Sequence, residues 1–296
     1  MIFKMLIGLP ASGKSSYTKT QTGFVSVSSD DIRKEFGFAE NEKNQTFFIM
    51  DTRVLNALAG GQNVVYDATK LGRTRRINFL KSIDRVAPGC KKIAVLFVVP
   101  LEVCMERNAR RDRHVPEYIY DNMVRAFELP LLTEGFDEIE VVFNGFENNT
   151  KIVRPEDLCD FAQENHHHTR TLGDHMLEAY RLMPHDDKDM AEAMYWHDIG
   201  KWITKKFENA YGVPTIEAHY QNHDNAGAYL YLVYRHAQDP SIPTQRLLHI
   251  AKLINWHMAP YHRWKDEVRK KKDIALLGEE DYKKILIMHE VDTQAH

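Results

Sequence analysis

The sequence predicts an α/β domain, a parallel sheet with helices on both faces, followed by an all-α domain. Three observations carry this. Short apolar runs alternate with helical stretches through the first half, the pattern of strand–helix–strand units. The series Gly8-Leu9-Pro10-Ala11-Ser12-Gly13-Lys14-Ser15 follows the first apolar run directly. All but one of the 15 histidines fall after residue 150, the exception being His114. A chain of 296 residues has length for about two domains. The expected division is a first domain over 1–150, a linker over 151–164 and a second domain over 165–296.

The expected strands are Met5–Ile7, Phe24–Val27, Val64–Tyr66, Ile93–Val99 and Ile139–Phe143. After Ser15 the chain lacks Gly and Pro until Gly23, which suits a helix. In such a sheet, ligands gather beyond the C-terminal ends of the strands. The polar, Asn-rich stretch from Asn144 to Arg154 reads as the linker, and Pro155-Glu156-Asp157 reads as a helix start. Beyond it, His175–Met183, Met190–His197, Ala226–His236 and Leu247–His257 carry apolar residues at helical spacing, and no strand is expected.

Composition excludes some classes. Hydrophobic content of 43% and charged content of 27% are those of an ordinary soluble protein. No apolar stretch approaches the ~20 residues that span a bilayer, so no membrane partner is expected. Cys90, Cys104 and Cys159 are scattered, which fits a reducing, cytoplasmic setting. The net charge of −3 gives no overall attraction to nucleic acid. Polynucleotide contact would come from local clusters such as Arg73, Arg75 and Arg76, whereas Arg269–Lys272 reads as a solvated helix end or loop. The sequence does not reveal an oligomeric state.

The glycine-rich series suits phosphate binding. Gly8 and Gly13 let backbone N–H groups curl around an anion at a helix start, Lys14 reaches the β- and γ-phosphates, and the Ser15 hydroxyl holds Mg²⁺. Ser16 completes the set expected to bind ATP. Asp30, after the second run, is placed to take a proton from an attacking hydroxyl, and Asp67, after the third, to support Mg²⁺. The cluster Arg107 to Arg113 can close over ATP and neutralise the transferring phosphoryl group.

The series GLPASGKSS, SSDDIRKEF, VVYDATKLGRTRR and ERNARRDRHVP, in this order, resembles the P-loop 5′-hydroxyl polynucleotide kinases over residues 1–145. The resemblance implies that Lys14, Ser15 and Asp67 serve the phosphates and Mg²⁺. It makes Asp30 the general base, Arg33 the contact to an acceptor phosphate and Arg111 the lid arginine. Gluconate-type and other small-molecule kinases share the phosphate loop, which leaves a second reading in which the acceptor is a nucleoside or sugar.

In the second half, His175, the run Tyr195-Trp196-His197-Asp198-Ile199-Gly200-Lys201 and Asp292 offer four ligands to a divalent metal that would activate water. Manganese, iron, cobalt, nickel and zinc all suit imidazole and carboxylate. These residues, with Asn222 to Ala228 and Ile254-Asn255-Trp256-His257, resemble the HD-superfamily phosphohydrolases over residues 165–296. That resemblance implies His175, His197, Asp198 and Asp292 as core ligands. It gives His223 and His257 to a second metal or the phosphate, and Lys201 to neutralising the scissile phosphate. His166-His167-His168 lies where similar domains carry a histidine pair near the metal. His185, His219, His236, His249, His262, His289 and His296 read as ordinary core or surface residues.

Joined, the two halves are similar in content to bacterial enzymes that heal nucleic-acid ends, although there the HD domain comes first. The expected function is phosphorylation of 5′-hydroxyl ends of single-stranded RNA or DNA, plus removal of a terminal 2′ or 3′ phosphate. The alternative is a small-molecule kinase joined to an HD nucleotide phosphohydrolase.

Overall fold

The computed structural model describes residues 1–39, 42–111, 114–146 and 150–295. Asp112 and Arg113 of the expected lid cluster lie outside the described residues, as do Glu147, Asn148 and Asn149 of the expected linker, and His296.

The chain divides into two compact units, one of Met1–Val115 with Pro130–Gly145, the other of Pro116–Leu129 with Phe146–His296. Residues 116–129 fall inside the expected first domain but group with the second unit.

The first unit alternates strands and helices. In chain order they are β1 (Ile2–Ile7), α1 (Lys14–Thr20), β2 (Phe24–Ser28), α2 (Ser29–Phe36), α3 (Lys43–Ala59), β3 (Asn63–Asp67), α4 (Arg73–Val86), β4 (Lys91–Val98), α5 (Leu101–Ala109) and β5 (Glu138–Phe143). The five strands form one parallel sheet in the order β2-β3-β1-β4-β5. Each expected strand is present. The central strands β1, β3 and β4 are mostly buried, whereas the edge strands β2 and β5 are mostly half-buried. Leu6, Val65, Ile93, Val95 and Phe97 pack on one face with Tyr17 and Phe24. Phe3, Tyr66 and Phe79 stack within 5.2–6.3 Å of one another in a second cluster.

Register fixes what meets at the strand ends. Leu6 of β1 and Ser28 of β2 both pair with Asp67, the last residue of β3. The phosphate loop, Asp30 and Asp67 therefore leave the sheet at one level.

The arginines of α4 differ from expectation. Arg73 and Arg76 are buried and share Glu134, which Arg76 grips through Nε and Nη2 at 2.7 Å each. Arg76 also donates to the carbonyls of Lys70 and Leu71. Positions three apart share a helix face, and here that face turns inward. Arg75 alone of the three is exposed, so the cluster does not form a basic surface track.

The second unit holds α6 (Glu117–Arg125), α7 (Leu172–Leu182), α8 (Lys188–Trp196), α9 (Lys201–Thr204), α10 (His223–Gln238), α11 (Thr244–Trp256), α12 (Ala259–His262), α13 (Glu267–Leu277) and α14 (Glu279–Gln294). Its fold is helical, with one addition. Strands β6 (Lys206–Glu208) and β7 (Pro214–His219) form an antiparallel ribbon. Asn209, whose side chain accepts from the Tyr211 and Val213 amides, closes its turn. The expected helix start at Pro155 is a short 3-10 turn, Pro155–Leu158. Arg269–Lys272 lies on α13, mostly exposed. Among the described residues no helix is long and apolar enough to cross a membrane.

Candidate functional site

The first unit carries one site. Gly13, at φ 98°, takes the left-handed conformation that turns the loop into α1. Lys14 is buried, and its ammonium donates to the carbonyls of Gly8 at 3.0 Å and Leu9 at 2.6 Å. Burial lowers its pKa to about 8, with Asp67 opposing the shift. The Ser15 hydroxyl donates to Asp67 at 2.9 Å, so the two expected Mg²⁺ supports already touch. Burial raises the Asp67 pKa, against Lys14 and the Ser15 hydrogen bond. Ser16 follows on the exposed side of α1.

Asp30 stands in the first turn of α2, whose N-cap Ser28 accepts from the Asp30 and Asp31 amides. Its carboxylate meets Arg33 Nη1 at 3.6 Å and Arg111 Nη2 at 3.4 Å. Asp30, Arg33 and Arg111, separated by up to 81 positions, converge. Asn144 was not foreseen: its side chain lies beside the loop at Ser12 and accepts from Arg107 at 3.0 Å.

Residues 4–130 match the family described as an AAA domain. That stretch holds the phosphate loop and strands β1 to β4. No curated protein matches the chain. An unconfirmed kinase from Chloroflexus aurantiacus j-10-fl is 16% identical, with 51% of this chain and 88% of that chain covered and a TM-score of 0.39. A gluconokinase from Sinorhizobium meliloti 1021 is 19% identical, over 48% of this chain and 82% of that one, with a TM-score of 0.36. A sugar kinase from Janibacter sp. HTCC2649 is 13% identical, over 51% and 88%, with a TM-score of 0.36.

The second unit gathers His175, His197, Asp198, His223, His257 and Asp292, all buried. Helix ends explain the orientation of several rings. His197 and His257 are the C-caps of α8 and α11, and their Nδ1 atoms meet the carbonyls of Met194 at 2.7 Å and Ile254 at 2.8 Å. His223 Nδ1 meets Tyr220 O at 2.8 Å, and His175 Nδ1 meets Ala295 O at 3.3 Å. A carbonyl only accepts, so each Nδ1 carries a proton, and each Nε2 faces inward, where a cation could take its lone pair.

Those lone pairs crowd. His175 Nε2 is 3.2 Å from His197 Nε2, 3.3 Å from Asp198 Oδ2 and 3.0 Å from Asp292 Oδ1. His197 Nε2 is 3.5 Å and 3.4 Å from the same two oxygens. Asp198 turns its other oxygen, Oδ1, to His223 Nε2 at 3.0 Å and His257 Nε2 at 3.6 Å, and those two nitrogens are 3.3 Å apart. An ion with bonds of ~2.1 Å sets neighbouring donors ~3.0–3.4 Å apart, so both groups have the spacing of a coordination shell. Asp292 Oδ1 is also a buried acceptor with no hydrogen bond. The donor set fits two divalent ions sharing Asp198.

Without metal, protons must fill the gap. Burial opposes charge on His197, yet Asp198 and Asp292 raise its pKa to about 10, and His175 is raised in the same way. Against burial, Lys201 and the imidazoles hold Asp198 well below the usual carboxylate range; His175 and His197 do the same for Asp292.

Gly200 lets these elements meet. A Cβ there would lie 2.0 Å from His223 O and 2.5 Å from Gly227 N, so only glycine lets the turn after Asp198 touch the start of α10. Lys201 Nζ, buried, is 2.6 Å from Asp198 Oδ2, 3.1 Å from Gln163 Oε1 and 3.0 Å from His168 Nε2. His168 thus joins the cluster, while His166 pairs with Glu217 at 2.6 Å. Sequence reasoning missed Gln163 and Tyr261, whose hydroxyl donates to Asp292 Oδ2 at 2.8 Å and leaves Oδ1 facing inward. Neither belongs to a spaced motif.

Proposed function

We propose that the chain is a two-site phosphate-handling enzyme. One site is an ATP-dependent kinase acting on a hydroxyl beside an anionic group; the other is a phosphohydrolase of HD-superfamily type using two divalent ions.

The kinase reading rests on Asp30 bracketed by Arg33 and Arg111. Asp30 takes the proton of the acceptor hydroxyl. The acceptor oxygen bonds the γ-phosphorus of ATP as the bond to the bridging oxygen breaks, and ADP leaves. Lys14 and Arg111 neutralise the charge, with Gly8 and Gly13 shaping the loop around the phosphates. Ser15 and Asp67 would hold Mg²⁺, which would supply further neutralisation of phosphate charge. Arg33 remains beside Asp30 to grip an anion on the acceptor.

The hydrolase reading rests on one observation: Asp198 offers an oxygen to each of two groups of imidazole Nε2 atoms. His175, His197 and Asp292 would complete one ion site, and His223 and His257 the other. When bound, such ions supply Lewis acidity that acidifies water and neutralises phosphate. Lys201, paired with His168, offers a further cation to the departing ester. Water adds to phosphorus, the ester oxygen leaves, and free phosphate is released.

Two acceptor classes carry an anion near a hydroxyl. A 5′-hydroxyl polynucleotide end, with its 3′-phosphate neighbour, has the motif series on its side, and the hydrolase would then clear a terminal 2′, 3′ or cyclic phosphate. A small sugar or nucleoside acceptor is favoured by the AAA-domain match and the gluconokinase and sugar kinase likenesses. It would pair with hydrolysis of a free nucleotide. Transfer of labelled phosphate from ATP to RNA and DNA with free 5′-hydroxyls, to nucleosides and to gluconate separates them. Labelled oligonucleotides with silent small molecules uphold the first; the opposite pattern replaces it with the second. No transfer to any hydroxyl would end the kinase reading.

A further inference from the structure

His249, on the middle of α11, lies between two carboxylates. Its Nδ1 is 3.0 Å from Asp189 Oδ2 on α8, and its Nε2 is 3.1 Å from Asp281 Oδ1 on α14. Carboxylates at neutral pH only accept, so both ring nitrogens must carry protons and the ring is an imidazolium. The three helices joined here are the ones that run on to the cage. From Asp189 to His197 and from His249 to His257 is about 12 Å along each helix, and from Asp281 to Asp292 about 16 Å.

We propose that the charged His249 is a strut that clamps α8, α11 and α14 in the spacing the metal cage needs, and that losing its proton slackens the cage. The inference rests on reading the six-residue cluster as a metal site, and it makes His249 a positioning residue rather than a ligand.

The charges around the ring require it to be protonated. Asp189 and Asp281 face it directly, and an ion-pair network continues from them through Asp187 and Glu192 on α8 and its cap, Arg235 on α10, Arg246 and Lys252 on its own helix, and Glu280 and Lys284 on α14. With His249 charged, the cations Arg235, Arg246, His249, Lys252 and Lys284 match the five carboxylates one for one. A neutral ring would leave a carboxylate facing a lone pair. The Asp281 hydrogen bond is the largest cause of a raised pKa here, with burial opposing and Asp189 assisting. The clamp is therefore fully present below ~6.5, the ordinary histidine value, and is lost as pH rises through the raised folded value.

The test begins with the wild-type ring. An NMR titration of the full chain should show His249 titrating above ~6.5. Mn²⁺ affinity is then measured for wild type and His249→Phe, one unit below and two units above that ring pKa. Comparing the two proteins at each pH cancels the titration of the ligands themselves. The variant should bind about tenfold more weakly at the lower pH, the effect expected of a residue that positions ligands. At the higher pH the two should agree, because the wild-type ring has lost its proton too. A ratio that does not change with pH would leave His249 only a packing role and overturn the proposal, as would a ring titrating at or below the ordinary value. Should His249→Phe not fold, Asp189→Asn removes one of the two negative charges on the ring and must lower the ring pKa. Should wild type take up no Mn²⁺, the cage reading falls. The strut is then judged by unfolding temperature, which must drop through the ring pKa more steeply in wild type than in His249→Phe; equal slopes would overturn it.

Discussion

The two candidate sites are built in opposite ways. In the first unit the key groups are half-open: the Asp30 side chain is 52% exposed and that of Arg111 is 37% exposed. Lys14 rests on loop carbonyls that a triphosphate would replace. In the second unit every donor is buried, and the imidazoles are locked to backbone carbonyls. The first site waits for its ligand to organise it. The second is organised in advance and is electrostatically incomplete without cations. The difference follows from the chemistry: a kinase must admit and release two substrates, whereas a metal cage must hold donors within tenths of an ångström.

Removing the shared ligand breaks the comparison most severely. Asp198→Ala should abolish uptake of both ions and slow phosphate release about 10³-fold, several kcal/mol of lost charge stabilisation, while ATP-dependent transfer is unchanged. Metal content by mass spectrometry alongside both assays checks this, and retention of two ions would refute the shared-ligand geometry.

Lys14→Ala should cut phosphoryl transfer about 10²- to 10³-fold and spare hydrolysis, because the lost cation serves only the triphosphate. Steady-state kinetics of both activities decide it; loss of hydrolysis as well would mean the sites are not independent.

The packing of the cage is sharpened by Gly200→Ala. Its Cβ meets backbone rather than a yielding side chain, so about 2–3 kcal/mol of stability should be lost from the second unit. Denaturant unfolding followed by the second unit's tryptophans would register it. The smallest effect belongs to the cap that aims Asp30: Ser28→Ala should cost about 1 kcal/mol of stability and reduce transfer without touching hydrolysis.

What could be read from the sequence was what depends on neighbours in sequence. The phosphate loop is one continuous stretch following its strand, and the five apolar runs each became a strand of the parallel sheet, whose central strands need apolar residues on both faces. Asp30, Arg33 and Arg111 were legible only through a motif series, since their convergence is made by the fold. The inward turn of Arg73 and Arg76 depends on Glu134, 58 positions beyond Arg76, and no local signal announces it. Strand β6 is three residues long, too short for any period to register. His249 read as an ordinary histidine because its partners, Asp189 and Asp281, lie 60 positions upstream and 32 downstream.

The most direct test is an anomalous-scattering map of crystals grown with Mn²⁺. Two peaks ~3.5–4 Å apart should appear, one against His175, His197 and Asp292, the other against His223 and His257, with Asp198 touching both. A cluster without a peak, or with Asp198 bound to neither, would contradict the account.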